Sequence, residues 1–118
     1  MILVIDDNDQ ERALIRKMLE ADGHEVREAA GGVEGVALAA ERWPDLVLCD
    51  LLMPDKDGFE TMREIRAHNR AIKIVAMSGV LFGIADHETM RERLGLAGVL
   101  EKPFRHSQLL DVVRQALR

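Results

Sequence analysis

The sequence predicts an α/β fold: five parallel strands, doubly wound by helices on both faces, in the sheet order 2-1-3-4-5. Three observations carry this. Apolar runs alternate with amphipathic segments along all 118 residues, a (βα)₅ pattern. Three of the runs are unbroken, as in strands covered on both faces. The other two candidate strands are charged or very short, which is how sheets manage their edges. Strong strands in the middle and weak ones outside match a common doubly wound order.

Ile2-Leu3-Val4-Ile5 is the first run, rich in β-branched residues. Leu14, Ile15, Met18 and Leu19 then form a helical stripe among Arg12, Arg16, Lys17 and Glu20, and Gly23 supplies a stop. His24 to Glu28 is the charged edge strand. Val33, Val36, Ala37 and Ala40 make a second stripe, closed by Pro44. Leu46-Val47-Leu48-Cys49 is the second strong run, followed by a helix carrying Phe59, Met62, Ile65 and Arg66. Ile72 to Met77 is the third, followed by a helix from Ile84 to Leu94. Val99-Leu100 is the short strand, and Leu109, Leu110, Val113 and Leu117 mark the last helix.

Bulk properties exclude several classes. Residues 1–118 fit one domain with a real core. A net charge of −5 argues against a nucleic-acid binder, which usually carries a basic stripe. The single cysteine forms no internal disulfide and points to a reducing cytoplasm. No apolar run approaches the roughly 20 residues that cross a bilayer, so no membrane role is expected. The apolar start is too short for a signal peptide and ends in two aspartates.

In doubly wound sheets the ligand site lies beyond the carboxyl ends of the strands. There stand Asp6, Asp7, Asn8 and Asp9, then Asp50, then Ser78-Gly79, then Lys102-Pro103. Singly, each has an ordinary role. Asn8 or Asp9 suits a helix cap, and caps are commoner than metal sites. Ser78-Gly79 suits a turn, and Lys102 suits a solvated charge. Asp50 differs, because it directly follows a run that must be buried and a carboxylate there costs desolvation energy. Jointly, Asp6, Asp7 and Asp50 would repel one another unless a hard cation sat among them, and oxygen donors with room for water favour Mg²⁺.

These residues resemble the response-regulator receivers of two-component signalling, within the flavodoxin-like folds. The markers are Asp6-Asp7, Asp50, Met53-Pro54, Asp57-Gly58, Ser78 and Lys102-Pro103-Phe104, in order and at strand ends. The resemblance covers the whole chain. It implies that Asp50 takes a phosphoryl group from the phosphohistidine of a sensor kinase or phosphotransfer protein, or from small phosphodonors. It implies Mg²⁺, replaceable by Mn²⁺, on Asp7, Asp50 and the backbone carbonyl of Leu52, with Asp6 holding a metal-bound water. Lys102 and Ser78 would each bind a phosphoryl oxygen, and the bond before Pro103 would be cis. Signalling would run through the face made by the fourth helix, fifth strand and fifth helix, which in similar proteins meets partners or forms homodimers. Such a protein catalyses only its own phosphorylation and dephosphorylation. The Met1 start and compact ending resemble free-standing bacterial receivers; a piece cut from a larger protein is the alternative, and no output domain lies within these residues.

Two departures stand out. Many receivers place an aromatic residue three positions before the lysine. Here it is Val99, and the chain has no tyrosine. Phe82 is read as a loop anchor rather than its substitute. Leu52 and Val80 are apolar where similar receivers modulate the attacking water, which implies slow autodephosphorylation. Cys49 reads as a buried, inert thiol, and His24, His68, His87 and His106 as surface residues. A degenerate receiver conflicts with the intact acids, Ser78 and Lys102. An aspartyl phosphatase needs a second acid where Leu52 stands, and a flavodoxin needs a Ser/Thr/Gly loop where Asp6 to Asp9 stand.

Overall fold

The computed structural model describes residues 1–79 and 87–118, with the side chain of His87 excluded. The elements follow in the order β1 (Ile2–Ile5), α1 (Asp9–Ala21), β2 (Val26–Ala29), α2 (Gly32–Glu41), β3 (Leu46–Asp50), α3 (Gly58–His68), β4 (Ile74–Ser78), α4 (His87–Leu94), β5 (Gly98–Glu101) and α5 (His106–Ala116). The strands form one sheet in the order β2-β1-β3-β4-β5, and every adjacent pair is parallel.

Strand residues point alternately to the two faces, and each face has its own apolar cluster. Leu3, Ile5, Val47, Cys49, Ile74 and Ala76 pack with Ala39 of α2, Met62 and Ile65 of α3, and Met90 of α4. Ile2, Val4, Leu46, Leu48, Val75 and Met77 pack with Ile15 and Leu19 of α1 and Leu109 and Val113 of α5. Burial on both faces explains why β1, β3 and β4 are apolar up to the terminal Asp50 and Ser78 of the last two. The edge strands β2 and β5 have mixed burial, but β5 is not short: it has four residues, as many as β1.

Helix ends follow local chemistry. Asn8 caps α1 by accepting the Glu11 N–H at 2.9 Å. Gly23, at φ 91°, and His24 close the same helix by donating to the carbonyls of Glu20 and Leu19. Asp57 caps α3 by accepting the Glu60 N–H at 2.8 Å. Gly31 cannot cap α2, so Asp55 does so from the β3–α3 loop, accepting from Gly32 and Val33 at 3.3 and 3.2 Å.

The apolar stripe expected on α2 is corrected. Val33, Ala37 and Ala40 face solvent, and Val36 is half-buried. The buried residues are Gly32, Gly35 and Ala39. The helix seats its smallest side chains on the sheet, because a β-carbon on Gly35 would lie 2.5 Å from Cδ1 of Ile5. In α1, Ile15 and Leu19 are buried as expected, but Leu14 is exposed. Phe59 is likewise partly exposed at the edge of α3. His68 and His106 lie at the surface, whereas His24 is half-buried 3.6 Å from Asp22. Of the helix expected over Ile84 to Leu94, residues 84–86 lie outside the described residues, as do Val80 and Phe82.

Close packing at two glycines gives a graded expectation. Gly35 faces the flexible end of Ile5, whereas Gly58 faces backbone, the Asp50 carbonyl and Leu51 Cα. Gly35→Ala is expected to cost about 1–3 kcal/mol in urea denaturation, the usual range for overpacking, and Gly58→Ala more than that. Equal or negligible losses would contradict this packing.

Candidate functional site

The carboxyl ends of β1, β3, β4 and β5 meet at one rim of the sheet. Asp6 follows β1 and is fully buried. Its Oδ1 accepts the Asn8 N–H at 2.9 Å, which turns the chain into α1. Arg12 holds the same turn by donating to the Asp6 carbonyl at 2.7 Å, while its other donors reach Glu28 and Asp9. Asp7 is exposed. Asp50 ends β3, buried, with Oδ1 accepting the Leu52 N–H at 3.4 Å. Ser78 ends β4, also buried, one position beyond Met77, which lies opposite Asp50 in the ladder.

Lys102 follows β5. Its backbone N–H donates to the Ser78 carbonyl at 2.7 Å, and the Lys102–Pro103 bond is cis, as the resemblance implied. Its ammonium lies 2.9 Å from Asp6 Oδ2, 2.7 Å from Glu11 Oε2 and 3.4 Å from Asp50 Oδ2. Carboxylate oxygens of Asp6, Asp7 and Asp50 lie within 4.8 Å of one another. The expected acids and the lysine therefore converge, with Ser78 at the neighbouring strand end. Glu11 was not foreseen. It stands in the first turn of α1, where the Asn8 cap holds its N–H.

The cluster is electrostatically crowded. Burial pushes the Asp50 carboxyl up to about 6; the Lys102 charge opposes this and the Asp6 charge adds to it. Burial alone would depress the Lys102 ammonium, but the hydrogen bonds it donates to Glu11 and Asp6 outweigh this and hold the amine charged above its ordinary range. Cys49, fully buried beside Asp50, has its thiol pushed well up by burial and then by the Asp50 charge, which suits an inert core residue. Three hard oxygen donors, two buried and one open to water, fit a small divalent cation that keeps part of its hydration shell.

The model of the response regulator receiver domain matches residues 2–114. The chain belongs to the response regulator receiver family. It is 32% identical to the chemotaxis protein CheY of Halobacterium salinarum over 98% of this chain and 95% of that protein. It is 35% identical to the protein PilH of Pseudomonas aeruginosa over 98% of this chain and 96% of that protein. The crystal structure of the receiver domain of NtrX from Brucella abortus superposes with a TM-score of 0.88 at 31% identity, covering 99% of this chain and 98% of that one. Receivers of this family serve two-component signalling, partner with histidine kinases or phosphotransfer proteins, and typically bind Mg²⁺. Among the described residues of this receiver, no helix is long and apolar enough to cross a membrane. Val99, where many receivers have an aromatic residue, is half-buried in β5 and packs against the α2–α3–α4 side of the core.

The raised Asp50 carboxyl has a consequence for stability. Its folded value near 6 exceeds the value near 4 of an unfolded aspartate. Between these, the native state binds more protons, so this group's contribution falls as pH rises. Without metal, its ionisation costs the fold on the order of 3 kcal/mol above pH ~6. The unfolding free energy of Asp50→Asn minus that of the native chain, measured in chelator, is expected to climb between pH ~4 and ~6 and then level. A flat difference would contradict the shift.

Proposed function

We propose that Asp50 is the phosphoacceptor of a phosphorelay, taking a phosphoryl group from the phosphohistidine of a sensor histidine kinase or phosphotransfer protein. The observation that carries this is the gathering of Asp6, Asp7 and Asp50 oxygens within 4.8 Å, with the Lys102 ammonium among them. Asp7, Asp50 and the Leu52 carbonyl would hold Mg²⁺ or Mn²⁺ directly, and Asp6 through a water. Both Asp6 oxygens accept hydrogen bonds from the protein, from Asn8 and Lys102, which suits that indirect part. When bound, the ion supplies positive charge for the oxygens of the transferring group, the dominant need in phosphoryl transfer.

An Asp50 oxygen attacks phosphorus as the bond from phosphorus to the donor's imidazole nitrogen breaks. An acyl phosphate forms, and the imidazole leaves with the bonding pair and takes a proton from water. Lys102 pairs with one phosphoryl oxygen and Ser78 donates a hydrogen bond to another. The added charge draws Ser78 inward and biases the α4–β5–α5 face toward a second arrangement, which a target or a second copy reads. With Val99 in β5, this switch works without a tyrosine reporter. The receiver acts in the cytoplasm and turns over no substrate other than its own acyl phosphate.

The test is incorporation of one phosphoryl group from a small acyl phosphate, followed by intact mass. Modification is expected with Mg²⁺, and none with chelator or in Asp50→Asn. Labelling that survives Asp50→Asn, or none with donor and Mg²⁺ present, would refute the assignment.

The exposed Leu52 side chain cannot orient a water by hydrogen bonding, and Val80 is equally apolar by sequence. Acyl-phosphate decay is therefore expected to be slow. Leu52→Asn with Val80→Gln should speed it on the order of tenfold, below the ~100-fold at which fully positioned general bases begin. A decay no faster than in the native chain would contradict this.

A further inference from the structure

Lys102 does not devote its charge to the buried acids alone. Its shortest contact, 2.7 Å, is to Glu11, on the outer side of the cluster. Asp6 follows at 2.9 Å, and Asp50 is the most distant at 3.4 Å. The three acceptors differ in what it costs to abandon them. The Asp6 side chain is 0% exposed and the Asp50 side chain 10%, whereas that of Glu11 is 47% exposed. A buried carboxylate left without its partner suffers the full desolvation cost. An exposed one is simply hydrated again, and pairs of that kind are worth little.

An ammonium has three N–H donors. The hydrogen bonds of Lys102 go to Asp6 and Glu11, and Asp50 lies beyond both at 3.4 Å. If Asp50 receives a phosphoryl group, its carboxylate charge is spent in the acyl bond and the more strongly charged phosphoryl oxygens take its place, pulling the ammonium inward. The bond given up most cheaply under that pull is the one to Glu11. We propose that Glu11 is a positioning residue that competes with the phosphoryl group for Lys102, so that acceptance exchanges a Glu11–Lys102 bond for a phosphoryl–Lys102 bond. This rests on the assignment of Asp50 as the phosphoacceptor. The α1 cap fixes where Glu11 stands, since its N–H is held by Asn8 at 2.9 Å. The bond also joins α1 to the β5–α5 connection, elements 91 residues apart, so the exchange unties the two across the mouth of the site.

The experiment is a titration of the full chain with beryllofluoride in Mg²⁺, read by NMR, for the native protein, Glu11→Gln and Asp9→Asn. Asp9 is the charge control, an exposed acid on the same helical turn that pairs with Arg12 rather than Lys102. Glu11→Gln should bind the analogue about two- to fivefold more tightly, as expected for removing one weak competing ion pair. Asp9→Asn should stay within error of native. The Lys102 ε-methylene resonances, recorded in chelator, should move in Glu11→Gln and stay in place in Asp9→Asn. Glu11→Ala should reproduce both results, which separates lost pairing from a local effect of glutamine. Unchanged affinity in Glu11→Gln, an equal gain in Asp9→Asn, or a still Lys102 signal would each overturn the proposal. A native chain that ignores beryllofluoride would instead sink the phosphoacceptor reading on which it rests.

Discussion

The organising constraint is the crowding of three carboxylates at one end of a buried sheet. Asp6 and Asp50 are almost wholly out of water, and Asp7 stands beside them. Like charges this close in a dry place oppose folding, and one ammonium offsets them only in part. Buried ion pairs are often no better for stability than apolar residues of the same size. The cluster is thus poorly explained as a staple for the fold. It makes sense as an arrangement that a divalent cation can complete, and it agrees with membership of the receiver family.

The fold serves that cluster by making its surroundings rigid. Both faces of β1 and β3 are sealed by helices, so the backbone leading into Asp6 and Asp50 has little freedom. The Asn8 N–H and the Arg12 guanidinium fix the β1–α1 turn. Gly58 lets α3 begin directly against the Asp50 carbonyl, where any β-carbon would collide. The Lys102 N–H on the Ser78 carbonyl ties the ends of β4 and β5 together. Lys102 reaches the acids from this tied end, and Glu11 reaches Lys102 from the capped start of α1.

Strand order and the acidic rim were legible because both rest on strong local signals. Unbroken apolar runs mark central strands, and an aspartate directly after such a run has no cheap explanation. The buried face of α2 was not legible. Its contact with the sheet uses Gly32, Gly35 and Ala39, and glycine carries no hydrophobic signal, so the larger Val33 and Ala37 drew attention to the wrong side. The role of Asp55 as a cap for α2 depends on a loop more than twenty residues away, at 23 residues from Gly32, which no local pattern encodes. Glu11 was hidden for the same reason. Its partner is distant in sequence, and an exposed glutamate in a first helical turn already has an ordinary use at the positive end of the helix dipole.

The central claim is most directly tested by locating the metal itself. Crystals grown or soaked with Mn²⁺ and measured for anomalous scattering would show where the ion binds. The account predicts one strong peak among the Asp6, Asp7 and Asp50 carboxylates, lost in Asp50→Ala crystals. A protein that binds Mn²⁺ only at other surfaces, or leaves these three acids without an ion at saturating metal, would contradict it.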